Sequence, residues 1–162
     1  MTDVTDWERR LAKLWSGLDE MDEREFLAGI DRLAAELPAD SGVAAFERAA
    51  AFDSTGHSDR AVPLYRQALA LGLDGLRRRR ATIQLASSLR NLGQADESVA
   101  LLRAEREAGS DELDDAVSAF LALALADTGR EREAAGIALA ALAPHLPRYQ
   151  RSLANYAGEL AQ

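Results

Sequence analysis

The chain has 162 residues, a formal net charge of −8 and no cysteine. This length suffices for one domain with a buried core, and the lack of cysteine excludes disulfides, thiolate catalysis and zinc sites built on sulfur. An acidic chain repels phosphate backbones, which argues against nucleic acid as a partner. No apolar run approaches the roughly 20 residues that span a bilayer, and the N-terminus does not resemble a secretory signal. We therefore expect a cytoplasmic protein, with no membrane partner.

Abundant alanine and scarce β-branched residues favour helices over strands throughout the chain. Nearly all of the basic residues are arginine, and Lys13 is the one lysine. Together with the alanine content, this usage indicates a GC-rich bacterial source.

Two amphipathic segments open the chain, over residues 4–17 and 22–37. In each, large apolar residues recur at spacings of three and four, which place them on one face of a helix. Pro38 is expected to stop the second helix. The pair is predicted to form a helix hairpin over residues 1–38, with its acidic face outward as a cap. The apolar residues are Trp7, Leu11, Leu14 and Trp15, then Phe26, Leu27, Ile30, Leu33 and Leu37.

Three glycines, Gly56, Gly93 and Gly129, follow one another at gaps of 37 and 36 residues. Each lies between two helical patterns, where a short turn needs a residue that tolerates positive φ. The flanking residues repeat too, because two antiparallel helices approach closely only where both carry small side chains. Alanine precedes each glycine by seven residues (Ala49, Ala86, Ala122), and a small residue follows it by five (Ala61, Ser98, Ala134).

This register resembles the tetratricopeptide repeat, over residues 42–146. The resemblance implies an all-α fold, a right-handed α-solenoid of antiparallel helix pairs in a single domain over residues 1–162. Residues 42–146 are predicted to form three repeats, residues 1–38 a degenerate first repeat, and residues 147–162 a capping helix. The tryptophan usual early in the repeat is replaced by Ala45, Thr82 and Ser118, and Pro63 is expected to distort a second helix. Within the superfamily, the chain resembles short bacterial members without a well-defined activity.

The resemblance also implies a concave groove lined by the first helix of each pair, and a peptide or protein segment as its ligand. The middle repeat contributes the most polar residues to this groove, and arginine and amides suit carboxylates and peptide backbones. The alternative for part of this set is a structural ladder of ion pairs through Asp53, Arg90 and Asp127. The candidate binding residues are Asp53, Arg80, Gln84, Ser87, Arg90, Asn91, Phe120 and Asp127.

The remaining charged residues favour structural roles. The arginine run over residues 77–80 is predicted to pair in part with Asp74 or with the acidic N-terminal hairpin. The acids over residues 111–115 follow Ser110, which is predicted to be a helix N-cap. His57 and His145 lie in separate turns without the spacing of a metal site.

No catalytic motif is present in the sequence, so we expect no enzyme activity, no cofactor and no metal. The predicted function is therefore a non-catalytic scaffold that binds a protein or peptide. The alternative function is self-association as a homodimer, through Trp7 and Trp15 on the N-terminal hairpin or through the last helix.

Overall fold

The computed structural model describes residues 4–162 of the chain. Within these residues it contains nine α-helices, two short 3-10 turns (Leu18–Glu20 and Ala143–His145) and no strand, which confirms the all-helical prediction. The helices are α1 (Val4–Ser16), α2 (Glu23–Ala34), α3 (Gly42–Ser54), α4 (Ser58–Ala70), α5 (Gly75–Asn91), α6 (Ala95–Ala108), α7 (Asp114–Asp127), α8 (Glu131–Leu142) and α9 (Gln150–Leu160).

Local sequence sets several of the helix ends. The Asp22 side chain accepts a hydrogen bond from the Arg24 backbone N–H at 3.0 Å, and thus caps the start of α2. Ser41 caps α3 in the same manner, at 3.2 Å from the Ala44 nitrogen. Helix α2 ends at Ala34, a few residues before the predicted stop at Pro38.

The three repeated glycines have the predicted backbone conformation. Gly56, Gly93 and Gly129 have φ values of 85°, 78° and 75°, in the left-handed region that side chains disfavour. They lie in the turns between α3 and α4, α5 and α6, and α7 and α8. Each turn thus joins the two helices of one predicted pair.

The small residues around these turns are buried, as the register predicts. Ala49 and Ala61 on α3 and α4 have no exposed surface, and Tyr65 next to them is equally buried. Because neither alanine extends beyond a methyl group, the two helices can approach closely. Helix α4 continues through Pro63 to Ala70. The remaining small residues of the register, Ala86, Ser98, Ala122 and Ala134, are buried too.

Contacts between residues divide the chain into two compact units, Met1–Ala81 and Thr82–Gln162. In the first unit, α1 packs on α2, α2 on α3, and α3 on α4. Its N-terminal core joins Trp7, Leu11, Phe26 and Ile30 to Ala51 of α3. The N-terminal hairpin is therefore an integral part of this unit. The single-domain organisation stays a prediction.

In the second unit, α6 packs on α7, α7 on α8, and α8 on α9. Its core is centred on Leu102, Val117, Leu121 and Leu125. The last helix, α9, buries Ala157 completely and packs against α8, and its role as a capping helix stays a prediction.

Candidate functional site

Four of the predicted binding residues lie on the second half of α5. Gln84, Ser87 and Arg90 are half-buried, and Asn91 is exposed. Their spacing of three to four residues places them on one side of the helix. The Nε atom of Arg90 lies 2.6 Å from Oδ2 of Asp127, at the end of α7. This ion pair joins the polar side of α5 to α7, and is one of the contacts of the predicted ladder.

Gln84 contains an unusual buried atom. Its Oε1 is buried and accepts no hydrogen bond from any residue in the range 4–162. A buried acceptor without a partner costs about 1–3 kcal/mol, so the site is less stable than one with a satisfied amide. Rotation of the amide by half a turn would exchange this oxygen for the NH₂ group. Gln84 thus retains unused hydrogen-bonding capacity.

Helix α7 has apolar residues on nearly all sides. Val117, Leu121 and Ala124 point into the core and are fully or almost fully buried. The opposite side is apolar as well, and Leu123 there is 45% exposed. A helix that is apolar all round is ordinarily covered on all sides. We name this uncovered side the α7 stripe; it consists of Ala116, Ala119, Phe120, Leu123 and Ala126.

Phe120 connects the α7 stripe to the core. Its ring is half-buried and packs against the core of the second unit, while Ala119 and Ala126 on either side of it are exposed. Asp127 follows the stripe and holds Arg90. The second unit thus presents an apolar strip with a charged pair at one end.

The two other predicted residues, Asp53 and Arg80, lie in the first unit. The Tyr65 hydroxyl donates to Oδ2 of Asp53 at 3.2 Å. Burial, together with the Asp53 charge, raises the pKa of Tyr65 above its usual range. Arg80 is exposed, and its guanidinium carbon lies 5.2 Å from the centroid of the Phe46 ring, within the range of a cation–π contact.

A buried carboxylate network in the first unit was not predicted. Glu47 is 3% exposed; the Trp15 indole donates to its Oε2 at 3.0 Å and the Arg77 Nε donates to its Oε1 at 3.2 Å. Burial raises the pKa of Glu47, because it disfavours the charged form more than these partners favour it. Arg77 also donates to both carboxylate oxygens of Glu8, at 2.9 and 2.8 Å.

This network confirms that the arginine run pairs with the N-terminal hairpin. The hydrogen bond to Glu8 raises the pKa of Arg77. One feature of the sequence could have indicated this network: Glu47 lies on the inward side of α3, where a buried charge needs a partner. Periodicity could not reveal that Trp15 and Arg77 supply it.

The acidic segment before α7 differs from the prediction. The helix begins at Asp114, with Leu113 as its N-cap, so the prediction that Ser110 caps this helix was wrong. Ser110 instead donates its hydroxyl to the Asp114 carboxylate, which also accepts from the Asp111 backbone N–H at 3.1 Å. These carboxylates order the loop that precedes the helix.

The sequence profile of the tetratricopeptide repeat family matches residues 42–160, well over half of the chain. The chain belongs to the tetratricopeptide repeat family. The match extends over α9, which the sequence register had placed outside the repeats. A search of curated proteins finds no match.

Two crystal structures are similar to this tetratricopeptide protein over nearly its whole length. Both contain nearly identical TPR-like repeats of a Podosopora anserina protein described as a kinesin light chain, and one of the two is a substituted variant of the other. Each has a TM-score of 0.73, and each alignment covers 99% of this chain and 93% of the chain in the crystal structure. The sequence identities are 19% and 18%. At this identity the likeness concerns the α-solenoid fold of helix pairs.

Tetratricopeptide repeats are generally scaffolds for protein interactions and are typically non-catalytic. In the described part of this tetratricopeptide protein, no group of three or more histidine and acidic side chains is placed to hold a metal ion. His57 and His145 contact one carboxylate each, Glu23 at 2.6 Å and Asp115 at 2.7 Å. No helix within residues 4–162 is long and apolar enough to cross a bilayer.

Proposed function

We propose that this chain is a non-catalytic scaffold that binds an apolar segment of a partner protein along the α7 stripe. The observation that carries the proposal is the exposure of Leu123 on a helix whose opposite side forms the core. Contact between an exposed apolar stripe and water is unfavourable, and the apolar side chains of a bound partner would displace that water. Phe120 supplies the largest part of the predicted contact, since aromatic side chains bury much area.

The polar side chains of α5 are proposed to orient the bound segment. Ser87 and Asn91 offer donors and acceptors for a peptide backbone, and the half-buried Gln84 lies on the same side of the helix. Arg90 is held by Asp127, so its role is either to bind the ligand or to join the two helices. Asp53 and Arg80 remain predicted contact residues of the first unit.

The α7 stripe is tested by the substitution Leu123→Asp. Leu142 is a matched control, because it is 48% exposed on α8 and lies outside the stripe. The wild type and Leu142→Asp should capture the same partner protein from the native cell extract. Leu123→Asp should fail to capture it. Circular dichroism confirms that both variants are folded. Unchanged capture by a folded Leu123→Asp variant would overturn the proposal.

The two roles of Arg90 are separated by exchanging its charge with that of Asp127. We compare Arg90→Asp with the double variant Arg90→Asp/Asp127→Arg, which restores the ion pair in the reverse direction. If Arg90 contacts the ligand, the reversed pair restores stability but not capture. If the pair only joins the helices, capture returns together with stability.

Self-association is the second candidate function, and exposed aromatic residues on and before α9 favour it. Tyr149 is 77% exposed and Tyr156 is 63% exposed. The predicted dimer through the two tryptophans has less support, because Trp7 is 2% exposed and its indole donates to the Leu33 carbonyl at 2.9 Å. Light scattering at high concentration should give a dimer that Tyr156→Glu dissociates; a monomer would contradict this alternative.

A further inference from the structure

A cleft lies between α1 and α2, in the first unit and separate in sequence from the α7 stripe. Its volume is about 470 Å³. This lies within the range of roughly 300–1,000 Å³ that is usual for ligand sites. The cleft is lined by Arg10, Lys13 and Leu14 of α1, by Met21, and by Gly29, Arg32, Leu33 and Glu36 at or beyond α2.

The floor of the cleft is apolar. A Cβ atom at Gly29 would lie 2.9 Å from Cδ2 of Leu14, so the absence of a side chain at Gly29 allows Leu14 to lie directly on α2. Met21 is half-buried next to it, and the flexible thioether side chain of methionine adapts to differently shaped apolar groups. Leu33 completes the floor. The floor therefore suits one large apolar side chain of a ligand.

The rim of the cleft is cationic. Arg10 donates to both carboxylate oxygens of Glu36, at 2.7 and 2.6 Å, and to Oδ2 of Asp6 at 3.0 Å. Lys13 and Arg32 are exposed, and neither forms an ion pair with any residue of the described range 4–162. Since Arg10 is paired with Glu36 and with Asp6, the surplus positive charge of the rim comes from Lys13 and Arg32.

This surplus contrasts with the surrounding sequence. Residues 1–60 contain 14 acidic and 7 basic residues, a formal charge of −7. Most of the other cations there are occupied, since Arg48 pairs with Asp31 at 2.8 Å and Arg60 stacks on Phe52 at 3.9 Å. A positive cleft within a negative surface attracts an acidic ligand to one place and repels it elsewhere.

We propose that this cleft binds an acidic peptide segment, which inserts one large apolar side chain between Leu14 and Met21 and places carboxylates against Lys13 and Arg32. The apolar contact supplies affinity, and the two cations select acidic over basic segments. The site uses no residue of the α7 stripe. Its test is therefore independent of the proposed function of that surface.

The probe is the synthetic peptide Glu-Glu-Leu-Phe-Glu-Glu, titrated into the isotope-labelled full chain and followed by backbone amide NMR. Two control peptides replace either all four glutamates by lysine or the Leu-Phe pair by Gly-Gly. We expect the acidic apolar peptide alone to shift the amides of Lys13, Met21 and Arg32. We also expect its affinity to fall as salt rises, because salt screens exposed charges.

The variant Lys13→Glu/Arg32→Glu should weaken this binding by about tenfold, because each reversal replaces an attraction by a repulsion at an exposed rim. Arg24→Glu is the matched control, since Arg24 is exposed on α2 and does not line the cleft. If the reversal disturbs folding, Lys13→Ala/Arg32→Ala serves in its place. Three outcomes would overturn the proposal: no shift at the cleft, equal binding of the lysine peptide, or an equal loss with Arg24→Glu.

Discussion

The substitution Gly136→Ala tests the contact between α8 and α9. A Cβ atom at Gly136 would lie 2.7 Å from the Ala157 carbonyl oxygen and 2.8 Å from the Ala161 backbone nitrogen. Both are backbone atoms, so no side chain can rotate away to make room. The last helix must move as a whole, and Ala157 would lose part of its complete burial.

Two opposing effects set the magnitude. Alanine in the interior of a helix is favoured over glycine by about 1 kcal/mol, whereas one methyl group forced into a packed contact costs about 1–3 kcal/mol. Because the contact is with backbone, we expect the steric cost to exceed the gain. The free energy of unfolding should fall by roughly 1 kcal/mol. Urea denaturation followed by circular dichroism measures this change, and faster hydrogen exchange at Ala157 would locate it.

Gly158→Ala is the matched control. Gly158 lies within α9, and a Cβ atom there would contact nothing within 4 Å. This variant should gain about 0.4–1 kcal/mol, since alanine restricts the unfolded chain more than glycine does. If Gly136→Ala were as stable as Gly158→Ala, the close approach of α8 and α9 would not depend on the glycine, and the reasoning would fail.

Three further predictions concern charge and backbone conformation. Burial raises the folded-state pKa of Glu47 above 4.5, so the contribution of this residue to stability is greatest below pH 4.5 and is lost as pH rises through the raised pKa. The free energy of unfolding of Glu47→Gln should therefore exceed that of the wild type by an amount that grows with pH above 4.5. A difference that stays constant with pH in denaturation experiments would contradict this. The side chains of Arg90 and Asp127 are 27% and 45% exposed, so a double-mutant cycle should give a coupling free energy of about 0.2–1 kcal/mol. A coupling above about 2 kcal/mol would contradict this expectation. Gly93→Ala should lower the unfolding free energy by about 1 kcal/mol because φ is 78°, whereas Gly109→Ala, at an extended φ of 171°, should not; equal thermal stability of the two variants would refute this.

The repeat register could be predicted from the sequence because its physical causes are local. A turn that requires positive φ selects glycine, as at Gly56, and a close helix contact selects small residues, as at Ala49 and Ala61. These requirements recur in each repeat, so three independent segments report the same pattern.

The start of a helix was predicted less well where it depends on competing hydrogen bonds. Ser110 followed by acidic residues fits the pattern of an N-cap with acids in the first turn, yet α7 begins at Asp114. The Asp114 carboxylate binds the Ser110 hydroxyl and the Asp111 N–H, and so orders a loop instead. A serine in this position can accept from backbone N–H groups as an N-cap or donate to a nearby carboxylate, and local sequence alone does not distinguish the two.

By itself, the sequence determined that the chain is a set of helix pairs and where the pairs turn. These properties depend on neighbours within a few residues, through helical periodicity and turn conformation. Tertiary structure alone decided which charges meet across the chain. Arg77 reaches Glu8 and Glu47, while Lys13 and Arg32 have no acidic partner in the described residues. Charge pairing over such separations depends on side-chain distances of a few ångströms, which only the packing of the helices fixes.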